Sequence, residues 1–174
     1  MDEVTYVVEL LKQNWASAAT AVGTANHQTT PTIIDIRNLD KNKGRRFDLS
    51  QKVEGESTSD LIIVFEDGQE IEYPTVTLDV RNETYNMTIH IRVIQDQREQ
   101  GFSHFGRDRL NSLYRIARYI LESKRKGSTV TFNNESQRFD LITLGTRSES
   151  NDRNKRLFGY KIGLTLKKFA ISIP

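Results

Sequence analysis

The chain has 174 residues, 36% hydrophobic and 28% charged, with a formal net charge of +2; that length fills one core and is marginal for two, and the balance is that of a soluble protein with a polar surface. It has no cysteine and only three histidines, His27, His90 and His104, which excludes disulfides, thiolate nucleophiles and sulfur-ligated zinc and leaves little for other metal chemistry. The charge balance demands no polyanionic partner, and neither a signal-peptide pattern nor an apolar run near the roughly 20 residues of a bilayer span is present, so no membrane partner is expected.

Val4, Val7, Val8, Leu11 and Trp15 recur at helical spacing, which predicts an amphipathic helix over residues 2–15 with Asp2 and Glu3 at its anion-favouring end. Residues 16–30 are small and polar around Gly23 and read as a linker. After Pro31, Ile34 and Ile36 flank Asp35 as in a short strand. Residues 38–60 are a long polar loop with a basic run, Lys41, Lys43, Arg45 and Arg46. Residues 61–66 and 69–73 flank Asp67-Gly68, a dipeptide suited to a type I′ turn, and predict a protruding β-hairpin.

Beyond Pro74, residues 75–81 and 85–94 read as paired strands. In the second, Met87, Ile89, Ile91 and Val93 form a buried face, while Thr88, His90 and Arg92 face solvent or an interface. An aromatic loop with Phe102, His104 and Phe105 leads into a helix over residues 107–124. Leu110, Leu113, Tyr114, Ala117, Ile120 and Leu121 form its inner face, Arg107, Arg115 and Arg118 lie outside, and Gly127 is placed to cap it. Short strands follow at 130–132 and 139–144, then a charged loop over 147–156 that includes Arg153, Lys155 and Arg156. In the last strand, from Leu157, the apolar face is Phe158, Tyr160, Ile162, Leu164 and Leu166. It switches after Lys168 to Phe169, Ile171 and Ile173, which predicts either a bulge at Lys167-Lys168 or, the preferred reading, a tail that leaves the parent sheet there as an arm over 168–174.

The expected class is α+β: a mixed, mostly antiparallel sheet carrying the first helix and the long helix, plus the hairpin, in a single domain over 1–174. Catalytic signals are sparse, and no catalytic, metal or cofactor residue is assigned. Glu122-Ser-Lys124, the sole Glu-x-Lys, sits at a helix end and not at the strand end where a nuclease would hold Mg²⁺. Asp35, Asp79 and Asp140 lie on separate strand candidates, where solvent-facing alternation accounts for them. The sequons at Asn82, Asn86 and Asn134 read as accidents of an Asn-, Ser- and Thr-rich chain. The basic runs at Lys41, Lys43, Arg45 and Arg46 and at Arg153, Lys155 and Arg156 are the best argument for contact with a partner or nucleic acid, without the aromatic interleaving of a single-strand binder.

The order of helix, Pro-initiated strand, hairpin, strand pair ending in His90-Ile-Arg-Val-Ile94, long helix, and closing strand Tyr160-Lys-Ile-Gly-Leu-Thr-Leu166 resembles the tail terminator (tail completion) proteins of long-tailed phages and related contractile particles. That resemblance rests on layout, and the long 38–60 loop and C-terminal extension depart from the compact pattern. It implies a non-enzymatic virion protein, assembled in the host cytoplasm. Such a protein forms a homo-oligomeric ring of about six subunits that caps the tail tube and joins it to the head-side connector, with a lumen open to DNA contact. Phe102, Phe105, Arg118, Phe169, Ile171 and Ile173 are the expected subunit-interface residues. The alternatives are a neck or head-completion connector and, from another class, a small nucleic-acid-binding or nuclease-like accessory protein.

Overall fold

The computed structural model describes residues 1–23, 34–39, 60–72, 80–94, 105–152 and 157–171. In chain order the elements are α1 (Glu3–Val22), β1 (Asp35–Asn38), β2 (Leu61–Glu72), β3 (Val80–Ile94), α2 (Phe105–Ser123), β4 (Thr129–Phe132), β5 (Glu135–Arg138), β6 (Leu141–Asp152) and β7 (Leu157–Ile171). Five strands form one sheet in the order β1-β2-β3-β7-β6, and β4 and β5 form a separate pair. β1 runs parallel to β2, and the other neighbours are antiparallel. The α+β class read from the sequence is therefore the observed one.

The Asp2 carboxylate starts α1 by accepting from the Thr5 N–H at 2.6 Å, which satisfies one of the orphan donors of the first turn. The helix runs on through residues 16–22, which is not a linker. Ala18 and Ala19 are buried there, and small side chains let α1 lie close to the core. Gly23, at φ 67°, ends the helix with its N–H on the Ala19 carbonyl at 3.0 Å. In α2 the expected inner face is found, with Ile116 added: Leu110, Leu113, Ile116, Ala117, Ile120 and Leu121 are buried, while Tyr114 is only partly buried at its margin. The two helices pack on each other and on one face of the sheet, against Ile62 and Val64 of β2, Met87, Ile89 and Ile91 of β3, and Ile162, Leu164 and Leu166 of β7.

Several expectations are corrected. Asp67-Gly68 is not a turn: β2 runs straight through it, neither residue has a positive φ, and the register with β3 shifts between Glu66 and Gly68. Asp67 is the extra residue of a bulge, and its carboxylate accepts from the Thr88 hydroxyl across the pair. Residues 80 and 81 do not belong to a separate strand, because β3 is continuous from Val80 to Ile94; residues 75–79 lie outside the described residues. Thr88, His90 and Arg92 do not face solvent. All three are buried beside a second apolar cluster of Leu61, Ile63 and Phe65, against which Leu39 packs, and the Phe65 and His90 rings lie 5.2 Å apart. The sheet is thus buried on both faces at this end.

The charged segment after residue 146 is not a loop as far as 152, since it forms the second half of β6. Nor does the last strand leave its sheet after Lys168. β7 stays in unbroken register with β3 from Leu157, opposite Ile94, to Ile171, opposite Val80. The Phe169 N–H is fixed by the Asp140 carboxylate at 2.8 Å, and backbone pairing of this kind outweighs the cost of leaving one aromatic ring half in water. β5 is not among the expected strands; it joins β4 through Asn133 and Asn134 at φ 49° and 64°. Those values define a type I′ turn, for which asparagine is among the best residues.

Candidate functional site

The feature that stands out is the outer edge of β6. β6 is the last strand of the sheet, paired with β7 on one side and with no strand on the other among the described residues. At its start the Ile142 N–H is taken by the Arg125 carbonyl, just past the end of α2, at 3.0 Å. From Thr143 onward nearly every described side chain is exposed. A bulge between Leu144 and Arg147 sets Gly145 beside Gly163, where an added Cβ would lie 3.3 Å from the Gly163 carbonyl oxygen.

Beside this edge runs α2. Asp108, Asn111, Ser112, Tyr114 and Arg115 of the helix and Arg147 of β6 line an open groove of about 360 Å³. The Arg147 guanidinium sits 4.7 Å from the Tyr114 ring centre and 4.3 Å from that of Tyr160. The two rings meet edge to face at 5.5 Å. Attraction of a cation to aromatic faces holds the arginine head in place and so costs little further entropy on binding. The Tyr160 hydroxyl donates to the Asn111 side-chain oxygen, and burial raises the Tyr160 pKa above its ordinary value, so that hydroxyl stays a donor. At the far end Arg107 pairs with Glu149 at 3.1 Å. The result is a backbone edge flanked by one arginine held between two tyrosine rings, suited to docking an extended segment.

The residues singled out from sequence fall unevenly around it. Phe102, Ile173, Lys41, Lys43, Arg45, Arg46, Arg153, Lys155 and Arg156 lie outside the described residues, as does Asp79. Phe105 opens α2 and Ile171 closes β7. Arg118 is exposed on α2 and pairs with Glu122 at 2.7 Å, which also occupies the carboxylate of the Glu122-Ser-Lys124 motif. Phe169 is 55% exposed. Asp35 pairs with Arg37 at 2.7 Å, and Asp140 accepts from Phe169; the structure does not bring these two carboxylates together. No group of three or more His, Asp or Glu able to hold a metal occurs among the described residues, and no helix among them is long and apolar enough to cross a membrane.

Sequence reading missed Arg147, Asn111 and Tyr160 as parts of one site. Residues 145–152 contain no apolar side chain to give a period of two, and only Thr146 among them favours a strand. No protein-family model matches the chain, and no curated protein matches it.

Proposed function

We propose that the chain is a non-enzymatic structural protein of a phage-like particle, acting as a tail terminator. It forms a ring on the last ring of the tail tube, stops its growth and presents a surface to the head-side connector. The observation that carries this reading is the open outer edge of β6, with Arg147 held between Tyr114 and Tyr160 beside it. A ring needs a heterologous contact in which each subunit offers one surface and receives another, and an unpaired strand edge on a rigid sheet is such a surface. The layout that carries the sequence resemblance points the same way, except that its hairpin and strand pair are replaced by the long strands β2 and β3.

The test is the mass of the purified protein in solution, followed by its effect on polymerising tail-tube protein. The expected results are a closed assembly of about six subunits and arrest of tube growth at one end. A chain that stays monomeric at high concentration and leaves tube length unchanged would refute the proposal. DNA cleavage in Mg²⁺ that disappears in Asp35→Ala would turn the reading to a nuclease.

A further inference from the structure

The outer edge of β6 is complementary in charge to itself. Residues 146–150 read Thr-Arg-Ser-Glu-Ser, a near-palindrome about Ser148 with a hydroxyl residue at each end and an arginine and a glutamate on either side of the centre. Arg147 and Glu149 stand opposite Ile162 and Tyr160 of β7, on the face that carries the helices, and Ser148 stands opposite Lys161 on the other face. The Arg147 guanidinium lies against two rings but makes no ion pair among the described residues. The Glu149 carboxylate takes both of its contacts, from Arg107 at 3.1 Å and from Asn151 at 3.3 Å, on Oε2, which leaves Oε1 open. Each copy therefore presents an arginine without a counter-ion and a carboxylate oxygen without a donor, two residues apart on one face of an open edge.

We infer that two copies of this chain pair their β6 edges antiparallel about a two-fold axis at Ser148. Such an axis stands perpendicular to the joined sheet, so both copies keep their helices on one side, and only registers that pair residues of the same face are open to it. Charge then selects one register. With Ser148 opposite Ser148 of the other copy, Arg147 of each chain meets Glu149 of the other, which makes two unlike pairs and no like pair. An axis at Arg147 would set two arginines face to face, and one at Glu149 two glutamates. The stretch is also free to pair. The Arg125 carbonyl occupies the edge only at Ile142, and the groove between α2 and Arg147 leaves room on the helix side. Exposed Ser148 and Ser150 add little apolar burial, so the contact is weak and reversible. It does not depend on the ring reading. Because the two use the same edge, the pair is a resting form of the free protein, with its edges covered, that opens before a ring is built; covering an edge in this way also guards it against indiscriminate strand addition.

Because the chain has no cysteine, introduced thiols report on this contact alone. Full-length Ser148→Cys protein, oxidised mildly, should give a disulfide-linked dimer, since directly opposed residues of a strand pair bring their Cβ atoms to about 4.5–5.5 Å. Ser150→Cys is the control: in this register the same position of the other copy lies four residues along the strand, about 13 Å away, and it should not cross-link. Charge supplies a readout without thiols. Arg147→Glu and Glu149→Arg should each weaken dimerisation, followed by sedimentation, about tenfold, because the two-fold axis turns both unlike pairs into like ones; Arg147→Glu/Glu149→Arg together should restore it. Equal cross-linking of Ser148→Cys and Ser150→Cys overturns the inference, as does a double variant that dimerises no better than the single ones. A Ser148→Cys protein that gives no linked dimer overturns it as well, and if that protein still arrests the tail tube the ring reading stands alone. Cross-linking and charge rescue in a protein that never forms a ring leave this inference standing and remove that reading, and a chain that is monomeric throughout removes both.

Discussion

Gly127 makes the sharpest stability prediction, because two separable effects meet there. The residue has φ 84°, and a Cβ placed on it would lie 2.1 Å from the Phe139 carbonyl oxygen. Gly127→Ala therefore meets left-handed strain of about 1–3 kcal/mol and a contact about 1 Å too short, which overpacking data put at a further ~1–3 kcal/mol. The carbonyl cannot retreat cheaply. Phe139 is fully buried, with its ring 4.8 Å from that of Tyr6 and 5.6 Å from that of Tyr85, and the next residue is tied to β7 by the Asp140 N–H on the Lys167 carbonyl at 2.8 Å. At about 2–4 °C per kcal/mol for a chain of this size, Tm should fall by roughly 4–24 °C. Gly23→Ala is the control: its φ is 67° with nothing within 4 Å of the added Cβ, so it meets strain without the clash. Thermal melts of both variants, with urea unfolding to check that the m-value holds, decide the matter. A Gly127→Ala protein that melts no lower than Gly23→Ala would refute the steric argument.

Burial holds the His90 imidazole at about 4, with Lys161 adding to the depression and Asp67 opposing it. The unfolded chain takes up a proton near pH 6.5 that the folded chain refuses, so stability is complete above that pH and falls by about 3 kcal/mol as pH drops toward 4. Urea unfolding between these values should show the slope in the parent and a flattened one in His90→Gln; equal slopes refute the assignment. Leu113, fully buried on α2, should lose about 2–5 kcal/mol as Leu113→Ala. Arg118→Ala, in the same helix but exposed, should melt with the parent, and the reverse ranking in thermal melts would mean that the helix phase is wrong.

What could be read from sequence tracks the strength of the apolar period. α2 was legible because Leu110, Leu113, Ala117 and Leu121 keep helical spacing against arginines on the other side. β3 and β7 were legible because Met87 to Val93 and Phe158 to Leu166 alternate strictly. The second half of α1 was misread because its buried residues are alanines among Ser and Thr, a composition that a linker shares. Asp67-Gly68 was misread because the same residue pair serves turns and bulges, and only the tertiary register decides between them. His90 was misread because alternation shows which face a residue shares and not whether that face is covered; Leu61, Ile63 and Phe65 carried the missing signal, being apolar on the same face one strand away. For the β6 groove no local pattern existed, since its parts come from residues 108–115, 147 and 160 and meet only when the helix docks on the sheet.

The polarity that hid the second half of β6 also bears on its function. A long open edge rich in Val and Ile would pair with any exposed strand, and proteins guard against this with charged or polar edge residues. β6 carries Thr, Arg, Ser, Glu and Asn along that edge, so side-chain burial supplies little of the energy for docking, and backbone hydrogen bonds and charge must supply most of it. A contact of that kind is selective: an incoming strand gains only if its charges suit Arg147 and Arg115 and its backbone is already extended, so that little ordering entropy is lost. With the sheet covered by helices on one face, and by a second cluster on the other at its β1 end, further strands can join it only at its edges, which is where the proposed ring contact would lie.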